Sequence, residues 1–346
     1  MWITTEDGSV ADQDGRIVCF SRQRFISEIA RGEGCFLCGA HGDAAVLAQE
    51  HVLPRWLLSR YRLVDESVNL PGGQQVPYES YTVPCCTACQ ELIARRIETP
   101  MSEMVLAGGT AAVPLMFAWL GLTYLKIHLR ERSFRPDAPP PDTRGYQALH
   151  HAHSVVRALC TGLVIDTEAL GSLISLRVQP TQAAGGFDYC DIAPAHALLV
   201  RFDGTAMLAV LDDSGAVGGL FWNRLEKISG PVSELQLREV LVDLACLNLH
   251  LKTRPSFVTH FDFEGETAHL SAHRPALELA QLDRKMRGEL LLHAVRHLLP
   301  APVGAADLPG AIRSGEYTFL FDGDGAFIPP RAAPPPSDEV GIGELH

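Results

Sequence analysis

Cys35-Phe36-Leu37-Cys38, Glu50-His51-Val52-Leu53-Pro54-Arg55-Trp56 and Cys86-Thr87-Ala88-Cys89-Gln90 fall within the first hundred residues and decide how the chain is read. In each Cys-x-x-Cys knuckle two sulfurs of one short turn reach the same ion, and four thiolates make a tetrahedral set suited to Zn2+. Cys85 and Cys86 are adjacent, and the spacing of Cys35 with Cys38 selects Cys86 with Cys89 as the second pair. A closed four-sulfur site is structural, because it leaves no coordination position for water or substrate. The alternative is four free thiols in a core.

Outside this run the chain has the makeup of an ordinary globular protein. Its 346 residues are 47% hydrophobic and 20% charged, enough to bury a sizeable core in two or three domains. The net charge of −12 argues against coating nucleic acid through bulk charge. Residues 1–135 carry 13 Lys and Arg against 15 Asp and Glu, so the acidic surplus belongs to the remainder and a local basic groove stays open. No basic segment followed by an apolar run marks a secretory signal, and paired cysteines then read as metal ligands in a reducing cytoplasm. Cys19, Cys85, Cys160, Cys190 and Cys246 read as buried thiols. Val105–Leu125 carries no formal charge, but Gly108, Gly109, Pro114 and Gly121 dilute it. A buried helix over Val113–Arg132, with Pro114 in its first turn, is expected rather than a membrane span.

The expected organisation is a lead-in (1–30), the cysteine module (31–99), a helical connector (100–135), a proline-rich linker (136–144), an α+β domain (145–328) and a disordered tail (329–346). The lead-in predicts a strand near Arg16–Phe20 and a helix over Arg22–Ala30. In the second half, helices are predicted at Gly145–Gly162, Leu235–Leu251 and Ala276–Leu299. Strands are predicted at Leu173–Val178, Ala197–Phe202, Ala206–Leu211, Val217–Trp222 and Ser256–Phe263. Asp203-Gly204 and Asp212-Asp213-Ser214-Gly215 read as hairpin turns, with a last hairpin around Asp322–Gly325. The fold class is α+β.

In combination, the three motifs resemble the HNH endonucleases, in the subtype that carries Glu-His-(Val/Ile)-x-Pro-(Lys/Arg)-Trp between its zinc knuckles. The resemblance covers the cysteine module and extends weakly to Trp119–Lys126, Phe187–Tyr189 and Leu211–Gly215. It implies a ββα-metal fold stapled by Zn2+ at Cys35, Cys38, Cys86 and Cys89, with a helix ending near Glu98. It also implies His51 as general base and Glu50 as ligand of one catalytic Mg2+ or Mn2+. The expected substrate is double-stranded DNA. No membrane partner is expected, and a homo-oligomer is left open. Gln90 departs from the family, which prefers Asn or His there; the same amide sits one methylene further out, so its placement near the ion is looser.

Chemistry supports that reading of the residues without the family. Phosphodiester hydrolysis needs a base for water and a cation for the charge on phosphate and leaving oxygen. Histidine suits the first role at neutral pH. Other candidates stand beside plainer readings. Asn69 is a substitute amide or a turn residue, and Glu98 a metal neighbour or a helix-end charge. Arg55, Arg60, Arg62, Arg95 and Arg96 are phosphate contacts or ordinary surface charges. His150, His151 and His153 are metal ligands or a helix surface, and Trp56 reads as core. The alternative for the whole chain is a catalytically degenerate zinc module that binds DNA or protein, with the function residing in the C-terminal domain.

Overall fold

The computed structural model describes residues 2–41, 46–70, 73–109, 111–133, 141–179, 186–262, 267–274, 276–299 and 308–330. Most of the proline-rich stretch and of the tail lies outside them. Strands β1 (Ile3–Thr4), β2 (Val10–Ala11) and β3 (Ile17–Cys19) form a small sheet. It leads into α1 (Arg22–Arg24), capped by the Ser21 hydroxyl, which continues as a π turn over Phe25–Ala30.

A β-β-α arrangement follows. β4 (Leu47–His51) passes through α2 (Arg55–Arg60) and a hairpin of β5 (Ser67–Asn69) and β6 (Gln75–Pro77). The chain then returns antiparallel beside β4 as β7 (Thr82–Cys86), pairing Leu47 with Cys86 and His51 with Thr82. Helix α3 (Thr87–Ile93) starts at Cys86. The helical path does not stop near Glu98: it widens to a π segment at Ala94–Glu98 and runs on as α4 (Thr99–Ala107). Pro100 lies in the first turn of α4, where its missing N–H is tolerated, and Gly108, at φ +61°, ends the helix.

Helix α5 (Val113–Ser133) has the expected extent and is buried without a break from Met116 to Ile127. Among the described residues no helix is long and apolar enough to cross a membrane. α6 (Thr143–Thr161), capped by Asp142, packs along it, with Gly121 facing Ala152. After β8 (Val164–Ile165) comes the central antiparallel sheet. Its strands β9 (Ser172–Arg177), β10 (Phe187–Ile192), β11 (Ala197–Phe202) and β12 (Thr205–Val210) lie in the order β10-β11-β12-β9.

β11 is buried along its whole length and β12 everywhere but Thr205, which explains their near-continuous apolar sequences. Leu198, Val200, Phe202 and Met207 join the core built on α5, whereas Ala197, Leu199, Leu208 and Val210 face Val240 and Leu241 in a second core. Trp56 packs with its ring 6.4 Å from that of Trp119 and 6.1 Å from that of Phe202, both tilted, tying the β-β-α unit to α5 and the sheet. The second core is closed by α7 (Ala216–Leu225) and α8 (Glu234–His250). β13 (Ser256–Phe261) and β14 (Ala268–His273) form a sheet with β8, and α9 (Arg284–Val295) and α10 (Leu308–Arg313) complete the fold. The class is α+β, as expected.

Two expected elements differ. Val217–Trp222 is not a strand but part of α7, because the Asp213 carboxylate accepts from the N–H groups of Gly215 and Val217 and caps a helix. Asp212–Gly215 is therefore a helix entry rather than a hairpin turn. Val217 and Phe221, four residues apart, are the buried stripe, and Trp222 faces outward. The last long helix is shorter than Ala276–Leu299. Asp283 accepts from the Met286 N–H and starts α9, whereas Leu279 bridges Leu251 in extended backbone.

Candidate functional site

The first knuckle is a tight turn in which the Cys35 N–H donates to the Ala40 carbonyl and the Gly39 N–H to the Cys35 carbonyl, both at 2.8 Å. Gly39 sits at φ +74°, where a side chain would be strained. Phe36 N–H donates to the Pro84 carbonyl, pinning this turn to β7 and bringing it against the second knuckle at the start of α3. The sulfurs of Cys35, Cys38, Cys86 and Cys89 lie within 4.8 Å of one another. Cys38 and Cys86 are 3.7 Å apart, against the edge of about 3.8 Å that Zn–S bonds of about 2.3 Å give in a tetrahedron. Four thiols so close resist joint ionisation, and the Cys38 thiol is pushed up to about 12, first by its hydrogen bond with Cys35. The quartet could hold a structural metal such as zinc. Cys85 Sγ approaches Cys35 Sγ to 3.8 Å but is not one of the four.

Beside the quartet, the end of β4, the start of α2 and the first turns of α3 and α4 enclose a cleft of about 650 Å3. Glu50, His51, Arg55, Trp56, Gln90 and Glu98 all line it. The Gln90 amide, one residue past the knuckle, donates from Nε2 to Glu50 Oε2 at 3.2 Å and to the Gln49 carbonyl at 3.1 Å. The extra methylene of glutamine thus suffices to reach Glu50. The His51 ring makes no hydrogen bond to any described residue. Its basicity is lowered, first by burial and then by the Arg55 guanidinium, with Glu50 acting the other way.

A residue at the end of the Trp119–Lys126 stretch, given no role from the sequence, organises this cleft. Lys126 is wholly buried in α5, and its Nζ donates to Glu50 Oε1 at 3.3 Å, Glu98 Oε1 at 3.2 Å and the His51 carbonyl at 2.8 Å. Burial opposes its charge, but Glu98 and Glu50 outweigh this and raise its pKa. Glu98 is itself raised by burial, against the pull of Lys126. Glu98 is therefore a cleft residue and not a solvated helix-end charge. The signal in the sequence was a lysine ending a charge-free run in a helix read as buried, since a buried ammonium needs anionic partners.

Other expected residues are placed elsewhere. Asn69 is exposed on β5 and accepts from Gln75 at 3.0 Å, apart from the cleft. Of the arginines only Arg55 lines it; Arg60 is paired with Asp203 at 3.0 Å, and Arg62, Arg95 and Arg96 are exposed without lining it. The histidines of α6 are not a surface: His151 and His153 are buried and half-buried His150 lies beside them. Their Nε2 atoms meet three different backbone carbonyls, Phe20, Ala169 and Leu37, at 2.7, 2.8 and 2.9 Å, so no metal is shared among them. A larger cavity of about 830 Å3 lies by α8 and α9, and its lining Asp243 is paired with Arg224 and Arg287, which line it too. No family model, curated protein or solved structure matches the chain.

Proposed function

We propose that the chain is a metal-dependent HNH-type endonuclease that hydrolyses phosphodiester bonds in DNA at the Glu50–His51–Gln90 cleft. The observation that carries this reading is the convergence of those three side chains, from β4 and the first turn of α3, beside the cysteine quartet at the start of α3. The Glu50 carboxylate and the Gln90 amide oxygen are hard donors of the kind Mg2+ or Mn2+ accepts, with waters and substrate phosphate filling the other positions. A bound ion of this kind supplies charge stabilisation to the phosphate and leaving oxygen.

His51 takes the proton from the attacking water as the new P–O bond forms and the P–O bond to the leaving oxygen breaks. Its lowered basicity leaves the ring neutral at pH 7, ready for this role. Lys126 holds Glu50 and the His51 backbone in place from behind. Arg55, at the rim, offers a contact to the substrate backbone.

A second reading draws on Glu50 being already engaged by Lys126 and Gln90: a zinc-stapled module that binds DNA or protein without cutting, with the activity in the C-terminal half. Plasmid cleavage separates the two. With Mg2+ or Mn2+ the wild type converts supercoiled plasmid to nicked or linear forms, and His51→Ala, with unchanged zinc content, does so at least about a hundredfold more slowly. Equal, background-level conversion by both proteins under both ions rejects the nuclease reading.

A further inference from the structure

The sheet β13-β14-β8 gathers a second set of ligating side chains far along the chain from the cysteines. His260 on β13 and His269 on β14 are direct cross-strand partners. β14 runs parallel to β8, pairing His269 with Val164 and Leu270 with Ile165. Asp166, just past β8, is fixed by its N–H donating to the Leu270 carbonyl at 2.9 Å. Alternation along β14 buries Ala268, Leu270 and Ala272 and leaves His269 and Ser271 on the outer side. His260 is exposed on the same side, and the side chains of Asp166 and His269 are each about a quarter exposed.

The geometry within this trio is that of a ligand set. Asp166 Oδ1 lies 3.0 Å from His269 Nδ1, and one donor atom from each of the three residues lies within 4.8 Å of the others. The imidazoles of His260 and His269 stack with centroids 5.1 Å apart and planes 18° from parallel. Partners facing each other across antiparallel strands have Cβ atoms about 5 Å apart, so the backbone itself sets this spacing. Metal–nitrogen and metal–oxygen bonds of about 2.0–2.2 Å place tetrahedral donors about 3.4 Å apart. The Asp166–His269 pair needs to open by only a few tenths of an ångström, and exposed His260 is free to swing inward.

From this juxtaposition we infer that Asp166, His260 and His269 bind a transition-metal ion of the zinc class, with one coordination position left open. Two imidazoles and one carboxylate suit Zn2+, Co2+, Ni2+ or Cu2+, whereas Mg2+ and Ca2+ prefer oxygen donors alone. With three protein ligands the fourth position takes water or an exogenous anion, unlike the closed cysteine quartet. The inference is independent of the nuclease reading.

Titration of the full-length, zinc-loaded protein with CoCl2, followed by absorption spectroscopy and metal analysis, tests it. The wild type is expected to take up one further equivalent, with a visible spectrum of nitrogen and oxygen ligation and no added thiolate charge transfer. His269→Ala, and separately the exposed His260→Ala, weaken that uptake by more than about tenfold while the zinc already bound stays. Wild type that takes up no further equivalent overturns the assignment, as do three proteins that take it up equally, since other histidines would then be responsible. Because the site is read from what the two variants lose, the result does not depend on the cysteine quartet.

Discussion

The β-β-α unit and the central sheet reach order by opposite means. In the first, β4 and β7 are five-residue strands, and four thiols from two turns gather at the start of α3, where they could hold a metal. In the second, β11 and β12 contribute apolar side chains alternately to two cores and hold no ligating cluster. The difference teaches where chemistry can be housed. A clamp fixes a backbone while leaving polar side chains at a cleft, whereas a strand buried on both faces has no position to spare. The two regions meet at Trp56, Trp119 and Phe202, and at Lys126, where a helix packed against the sheet reaches into the cleft of the clamped unit.

The largest expected effect separates clamp from packing. Cys86→Ala removes a quartet sulfur and should abolish binding of the zinc proposed there, with loss of near-ultraviolet circular dichroism. Neighbouring Cys85→Ala should keep one zinc per chain in the quartet and lose only about 1 kcal/mol of stability for a small buried side chain. Metal analysis and denaturant melts read both. If both variants keep that zinc, or both lose it, the quartet is assigned to the wrong sulfurs.

Next comes the junction. Lys126→Met keeps the volume but leaves Glu50 and Glu98 facing each other without a cation, at a cost of about 3–5 kcal/mol for a broken buried pair. Lys126→Met combined with Glu98→Gln should recover part of this. A single variant as stable as wild type in urea melts would show that the ion pairs do not join the two regions.

A smaller effect concerns the helix between the regions. Burial lowers His151 and His153 to about 3, and through Nε2 they hold the Ala169 and Leu37 carbonyls. Between about 6.5 and about 3 the unfolded chain binds protons that the folded chain does not. Their contribution is therefore complete above pH 6.5 and falls by up to about 1.4 kcal/mol per unit per histidine as the pH drops. Melting temperature measured from pH 7 to pH 5 should decline, and His153→Gln should flatten the decline. An identical slope in the variant would contradict this account of His153.

How much of this was legible in the sequence follows from the same contrast. The cysteine register, the Glu50–His51 pair and Gln90 carry their chemistry in residue type and spacing, and all fall in one region of the fold. The apolar runs of β11, β12 and α5 announced burial. What escaped was set by contacts between distant segments. Val217–Trp222 has the apolar content of a strand, and the Asp213 carboxylate that accepts from the N–H groups at the start of the helix is not legible as such from residue type. Lys126 is an ordinary lysine until Glu50, 76 positions earlier, and Glu98 are placed around it. His260 and His269 become neighbours only through strand register, and β10 and β14 were missed because polar residues interrupt them.

The central claim is that His51 moves the proton in phosphodiester cleavage, and chemical rescue tests it most directly. Under single turnover with a labelled DNA duplex and Mg2+ or Mn2+, wild type should cleave, with a rate that falls only below pH 6.5, in keeping with the lowered basicity of His51. His51→Gly should be about a hundredfold slower or worse, and added imidazole should restore part of the rate. A His51→Gly protein that cleaves at the wild-type rate without imidazole, or a zinc-loaded wild type that cleaves no duplex under either ion, would contradict the account.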